Sequence, residues 1–260
     1  MRTIRIESSR NEEYKKLILL QKESKARKEG LFLLEGVRAV SELPADWQTE
    51  SIWISESFAG LVPERAETRY YRIPEALFDK AAGTVHSQGI MAVVRRKNWK
   101  LEEITRRSSF WIILENLQDP GNAGTILRTA DACGADALIC TKGTVDLYNQ
   151  KVVRSAMGSF FHLPVAVVDS IDAAVSYIKA QGGQLVGTHL KGATSYTEGD
   201  YLGPTAIVIG NEGSGMSDAA ASLCDALVKI PMPGKAESLN ASVAAGVMMY
   251  EVLRQRGVKV

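Results

Sequence analysis

Cysteine and histidine are scarce in this chain, each occurring three times in 260 residues. His86, His162 and His189 lie far apart, and Cys133, Cys140 and Cys224 show no C-x-x-C or His-bearing ligand spacing, so the residues offer no metal site. Three cysteines without a secretory leader point to a reducing, cytoplasmic setting, with Cys133 and Cys140 expected as buried thiols. Long apolar runs are missing as well. The longest are of strand length, well short of the roughly 20 residues that cross a bilayer, which argues against a membrane span. Charge of one sign is absent in bulk, because 31 Lys and Arg oppose 30 Asp and Glu for a net charge of +1. Affinity for a polyanion would therefore have to come from local distribution. Two nucleotide signatures are also lacking: Gly210, Gly213 and Gly215 have the wrong spacing for G-x-G-x-x-G, and no lysine follows as a P-loop requires.

What is present concentrates at three strand ends. Phe110 to Leu114 is a continuous apolar run of strand length, and Asp119-Pro120-Gly121-Asn122 cannot extend it. Asn122 is expected to cap the helix that follows, in which Ala123, Ile126, Leu127, Ala130 and Cys133 recur at helical spacing until Gly134 stops it. Arg128 falls off that stripe. The free amides of such a helix start suit an anion such as phosphate, and an arginine one to two turns on can add a fork of donors to the same ligand. An ordinary strand-to-helix corner with a surface arginine fits these residues equally well. A second apolar run, Ala206 to Ile209, feeds a glycine-rich loop from Gly210 to Ser217 with one carboxylate, Glu212. A third, Ala226 to Ile230, opens into Pro231 to Asn240, whose last residues begin a final helix. Ligands of open α/β sheets bind at the carboxyl ends of strands, so the three loops are expected to share one crevice.

Taken in order, Asn122…Arg128, Gly210-Asn211-Glu212-Gly213 and Ile230-Pro231-Met232…Ser238-Leu239-Asn240 resemble the SpoU, or TrmH-like, branch of the SPOUT RNA methyltransferases, over roughly Ser108 to the end. The resemblance implies an RNA ribose 2′-O-methyltransferase that uses S-adenosyl-L-methionine. It also implies an α/β catalytic domain with a mostly parallel sheet, a deep C-terminal trefoil knot and a homodimer. The knot comes from likeness alone, since general topological rules run against it. By the same likeness the catalytic set is Asn122, Arg128, Glu212, Ser238 and Asn240. The cofactor-contacting positions are Thr188, Gly210, Asn211, Gly213, Ile230, Met232 and Leu239, with no metal. Arg128 resembles the residue often assigned as the base in the family, yet a guanidinium hardly deprotonates. A clamp on the neighbouring phosphate suits it better, with a phosphate oxygen or water taking the proton. By residue type alone, Ile230 and Leu239 also suit a core, Gly210 a turn, Glu212 a solvated loop and Ser238 a helix cap.

A basic segment at 98–107, continuing from Arg95, Arg96 and Lys97 through Lys100, Arg106 and Arg107, reads as a linker between domains at 1–97 and 108–260. The first domain reads as a helix from Asn11 to Lys28 with Leu17, Leu20 and Ser24 inward, a strand from Leu31 to Glu35, and a helix from Val37 to Leu43. A strand from Ser51 to Ser55, a helix near Glu75 to Ala81 and a strand from Gly89 to Val94 follow. Its Phe32-Leu33-Leu34-Glu35-Gly36 and Gln88-Gly89-Ile90-Met91-Ala92-Val93 resemble an L30e-like substrate-binding domain. Residues 1–38 hold ten Lys and Arg against six acids, which suits either phosphate contact or a solvated helix face. Structured RNA is the expected partner, with ribosomal (23S) RNA favoured over tRNA because of the extra domain. A tRNA 2′-O-methyltransferase and a non-catalytic RNA-binding ribosome-assembly protein are the alternatives. His162, after Phe160 and Phe161, is expected in core or interface packing, while Lys151 and Arg154 suit either RNA contact or solvent. Val243, Val247, Met248 and Val252 on the last helix suit a mixture of core and subunit interface.

Overall fold

The computed structural model describes residues 2–83, 87–105, 107–189 and 194–257; His86 and Arg106 lie outside them. The chain divides into two compact units, one of residues 1–97 with Tyr148–Val153, the other of Asn98–Leu147 with residues 154–260.

In the first unit the order is β1 (Thr3–Arg5), α1 (Glu12–Leu20), α2 (Glu23–Glu29), β2 (Leu31–Glu35), α3 (Val37–Glu42), β3 (Thr49–Ser55), β4 (Arg69–Ile73), α4 (Glu75–Ala81) and β5 (Ile90–Arg95). The five strands form one sheet in the order β1-β4-β3-β5-β2, parallel from β1 to β3 and antiparallel through β5 to β2. Asn11 starts α1 by accepting from the N–H groups of Glu13 and Tyr14, with two glutamates in the first turn facing the helix dipole. The single helix expected from Asn11 to Lys28 is two, because the chain breaks at Gln21-Lys22 and Gly30, at φ +66, ends the second. Tyr14, Leu17 and Leu20 are buried as one stripe, whereas Ser24 is exposed and Ala26 takes the inward place. Trp53 stacks on Tyr71 at 4.2 Å between ring centroids within this core. Strands β1 and β4 were not legible in the sequence: β1 has three exposed residues and β4 is an Arg-Tyr-Tyr-Arg-Ile segment without clear alternation. Of the ten basic residues at 1–38, Lys15 pairs with Glu12, Lys16 with Glu13, Lys25 with Glu29 and Arg38 with Glu42. Such exposed pairs add little stability.

The second unit contains β6 (Phe110–Leu114), α5 (Pro120–Ala132), β7 (Ala137–Thr141), α6 (Gln150–Ala156, its first residues grouped with the first unit), α7 (Ser159–His162), β8 (Val165–Val168) and α8 (Ile171–Ala180). Then come β9 (Gln184–Thr188), β10 (Thr194–Ser195), β11 (Thr205–Ile209), α9 (Asp218–Leu223), β12 (Ala226–Lys229) and α10 (Ala241–Arg256). Its seven strands run β10-β12-β9-β11-β6-β7-β8, and every pair in that series is parallel. Strands β6, β7 and β11 are buried along their whole length, which explains why they read as unbroken apolar runs: helices cover both faces of a parallel sheet. From β6 the chain builds outward through β7 to β8, then returns to the other side for β9 and β11. The junction of β6 and β11 is therefore a topological switch point, where the loops leaving adjacent strand ends diverge and open a crevice.

Candidate active site

Asp119, not Asn122, caps α5, its carboxylate accepting from the Asn122 N–H at 2.8 Å, with Pro120 in the first helical turn. Proline there costs no hydrogen bond and pre-sets φ. The anion expected at this helix start belongs to the protein itself. Glu212, from the loop after β11, accepts from the backbone N–H of Gln118 at 3.0 Å and of Asp119 at 2.9 Å, and from Nδ2 of Asn122 at 3.1 Å. Asn240 then donates from Nδ2 to Oδ1 of Asn122 at 2.9 Å, while its own Oδ1 accepts from the N–H groups of Ser242 and Val243 to cap α10. Three loops are thus tied by one chain of amides ending on a carboxylate, and the Asn122 side chain is fixed in orientation from both ends.

Partial burial alone would push the Glu212 carboxyl up, but the donors from Gln118, Asp119 and Asn122 together outweigh it and hold the group below its ordinary value of 4.5. A depressed folded pKa means that the latch contributes stability above the unfolded value and loses it as pH falls through the folded one. The difference in thermal midpoint between the wild type and Glu212→Gln is accordingly expected to be constant from pH 6 to 9 and to shrink below about pH 4.5. Calorimetric scans of both proteins across that range provide the check, and a difference that changed around neutrality would remove Glu212 as its source.

A second carboxylate reaches the other way. Glu115, buried at the end of β6, accepts from the N–H of Ser217 at 2.9 Å and from its hydroxyl, and Ser217 in turn caps α9 by accepting from the Ala220 N–H. Each loop therefore sends one acid to the backbone of the other. Asn211 completes the junction: Nδ2 donates to the carbonyl of Asn116, which is held at φ +57, and Oδ1 accepts from the N–H groups of Gly213 and Ser214. Gly210 is buried where the loop turns back, and an added Cβ would stand 2.3 Å from the Met216 nitrogen. Glu115, Asp119 and Ser217 were missed in the sequence. Asp119-Pro120 and Ser217-Asp218 are recognisable helix-start pairs, whereas nothing local marked Glu115 as reaching a residue 102 positions away.

An open cleft of about 470 Å³ is lined by Asp119, Asn122, Glu212, Ser238, Leu239, Asn240 and Ala241. It gathers four of the five expected catalytic residues. Arg128 is not among the lining residues. It is exposed on α5 and donates from Nη1 to the Met157 sulfur at 3.1 Å. Of the expected cofactor positions, Leu239 lies in the cleft and is 37% exposed, Ile230 and Met232 are half-buried on the same loop, and Gly213 is part of the loop after β11. Thr188 ends β9 with its hydroxyl donating to the Val208 carbonyl at 3.4 Å. The half-exposed apolar groups beside a side-chain-free turn suit a ligand with a flat apolar ring, and the amides and hydroxyl of the cleft suit a sugar edge.

Burial pushes the thiols of Cys133 and Cys224 up to about 11 and that of Cys140 to about 12, leaving all three protonated at neutral pH and poor nucleophiles. No group of His, Cys, Asp and Glu able to hold a metal ion occurs among the described residues. Of the two settings expected for His162 the core is excluded: its side chain is exposed in the single chain and its Nδ1 pairs with Asp131 at 3.3 Å.

Comparison with known proteins accords with this geometry. Residues 11–92 match the MRM3-like substrate binding domain. Over 250 residues the chain is 35% identical to the 23S rRNA (guanosine(2553)-2′-O)-methyltransferase RlmP of Bacillus subtilis, covering 95% of this chain and 98% of the relative. The AdoMet-bound rRNA methyltransferase from Sinorhizobium meliloti superposes with a TM-score of 0.86 at 28% identity, covering 97% of this chain and 98% of that one. The SpoU methyltransferase AviRb from Streptomyces viridochromogenes, in complex with AdoMet, gives 0.85 at 32% identity, covering 96% and 100%. With residues 109–250 matching the family model as well, the chain belongs to the SpoU rRNA methylase family.

Proposed function

We propose that this protein transfers a methyl group from S-adenosyl-L-methionine to a ribose 2′-hydroxyl of 23S rRNA. The observation that carries the reading is the cleft in which Asn240, Asn122 and Glu212 are joined in series at the switch point of a parallel sheet, in a member of the SpoU family. When bound, the cofactor supplies an electrophilic methyl on a sulfonium. Thr188, Gly210, Ile230, Met232 and Leu239 are the residues that would hold it, with Asn211 and Gly213 shaping the loop. Ser238 is exposed at the cleft, and its hydroxyl can donate to and accept from a ribose edge. Asn122 keeps one amide hydrogen beyond its bond to Glu212 and supplies a second, orientationally locked contact; Asn240 acts through it. Holding the acceptor in line provides most of the rate. Glu212, already accepting from three donors with its pKa lowered, is a weak base, so the hydroxyl proton leaves to a phosphate oxygen or water, with Arg128 clamping that phosphate.

Residues 1–97 act as the RNA substrate-binding domain, 98–107 as the linker and 108–260 as the catalytic domain, a division supported by the extents of the two family matches. The family's trefoil knot and homodimer belong to the same proposal. Val243 and Tyr250 are exposed a little under two turns apart on α10 with Val247 half-buried between them, an apolar stripe suited to a second copy. A cytoplasmic site of action fits an rRNA substrate, and no described helix is long and apolar enough to cross a membrane.

The test is transfer of labelled methyl from S-adenosylmethionine to total rRNA and, separately, total tRNA from a strain lacking the protein, followed by nucleoside analysis. Label in 2′-O-methylated nucleosides of 23S rRNA is expected. Label confined to tRNA would move the substrate, and cofactor binding without transfer to either pool would favour a non-catalytic assembly protein.

A further inference from the structure

We propose that Met157 is a positioning residue for Arg128, its thioether giving the guanidinium a neutral resting place from which an RNA phosphate takes it. This rests on the reading of Arg128 as the phosphate clamp.

Among the described residues Arg128 makes no ion pair, and its polar contact is the 3.1 Å bond from Nη1 to the Met157 sulfur. The carboxylate one turn further along α5, Asp131, is engaged by His162. A thioether is a weak, uncharged acceptor. It restricts a long, rotamer-rich side chain without neutralising it, and gives way to a phosphate that offers two charged oxygens to the guanidinium fork. A carboxylate in the same place would compete with the phosphate for that fork.

The position of the sulfur is maintained against local preference. Met157 has φ +53, in the left-handed region that a long side chain seldom occupies, while the glycine beside it, Gly158, has an ordinary helical φ of −57. Met157 directly follows the end of α6, and contacts on its C-terminal side fix the segment. The Met157 carbonyl accepts from the Phe160 N–H at 3.2 Å, Phe160 and Phe161 are buried, and His162 pins the end of α7 to Asp131 on α5. Both Met157 and Arg128 are exposed, so the pair is open to a ligand from solvent.

The experiment is a double-mutant cycle on an unmodified 23S rRNA transcript with the wild type, Met157→Gly, Arg128→Ala and the double variant. Cofactor affinity and thermal midpoint are measured alongside. Glycine accepts φ +53 freely, so Met157→Gly keeps the fold. It is expected to lower kcat/KM for RNA roughly 3- to 10-fold, mainly through KM, in the range of coupling seen for contacting residues. In the Arg128→Ala background it should have no further effect. Met157→Glu is expected to lose more than Met157→Gly, because a carboxylate retains the guanidinium, again with cofactor affinity unchanged. Equal losses from Met157→Gly in both backgrounds, or no loss in the wild type, would overturn the role of Met157. Full activity of the single Arg128→Ala variant would instead overturn the clamp reading beneath it.

Discussion

Alanine at position 128 is expected to lower methyl transfer by roughly 100- to 1,000-fold, the effect of removing one preorganised donor to transition-state charge, with S-adenosylmethionine affinity essentially unchanged. The separation follows from where Arg128 lies. Its guanidinium touches the Met157 sulfur and makes no bond to Asn122, Glu212 or Asn240, so its loss leaves the loops around the cleft intact. An exposed side chain of this kind contributes within about 0.5 kcal/mol of stability. Single-turnover transfer of labelled methyl, paired with titration calorimetry of the cofactor, measures both quantities. Arg128→Lys is expected to recover part of the rate, since charge remains but the planar fork is lost. If transfer and cofactor affinity fall together in Arg128→Ala, the residue supports the cofactor loops and is not the phosphate clamp.

The second large effect is expected from Gly210→Ala. The added carbon would lie 2.3 Å from the Met216 nitrogen and 2.5 Å from the Gly215 carbonyl carbon and Met216 Cα. All three are backbone atoms, so no rotamer change relieves the clash. The loop is closed by reciprocal bonds between Asn211 and Gly215 at 3.0 and 2.9 Å. Opening it would displace Glu212 from the start of α5 and Met216 from its buried seat beside Gly187. Overpacking of this kind costs about 1–3 kcal/mol, and displacing a binding loop by an ångström can cost roughly 100-fold. Cofactor affinity is therefore expected to fall by about that factor with a modest drop in thermal midpoint, as read by calorimetry. Gly203→Ala is the control, because an added carbon there meets nothing within 4 Å and the residue lies outside the cofactor loops, and both quantities should stay as in the wild type. Wild-type cofactor binding by Gly210→Ala would mean that the turn yields and that the missing side chain is not what shapes the site.

The sequence was most informative where order is local. The strand at Phe110–Leu114 and the last helix were legible from apolar runs and periodicity, with their starts off by one residue at most. In the N-terminal part the same patterns located β2 and α4 but missed β1 and β4, short strands whose identity comes from partners far along the chain. Helix caps were misplaced in an instructive way. Asn122 was read as the cap of α5, yet Asp119 holds that role and thereby frees the Asn122 side chain for Glu212 and Asn240. The metal-free composition and the near-neutral charge limited the chemistry without locating it.

By itself the sequence determined that three polar loops follow three apolar strands, which residue types those loops carry, and, through resemblance, the family. These properties depend on neighbours within a few positions. Only the tertiary structure decided that the anion at the start of α5 is Glu212, 90 residues beyond Asn122, that Asn240 arrives from 118 residues away to orient Asn122, and that Arg128 rests on Met157 outside the cleft. The physical reason is that parallel strands must be joined by long crossovers. Loops adjacent in space are consequently distant in sequence, and the hydrogen bonds between them are set by the order of strands in the sheet, which no local pattern encodes.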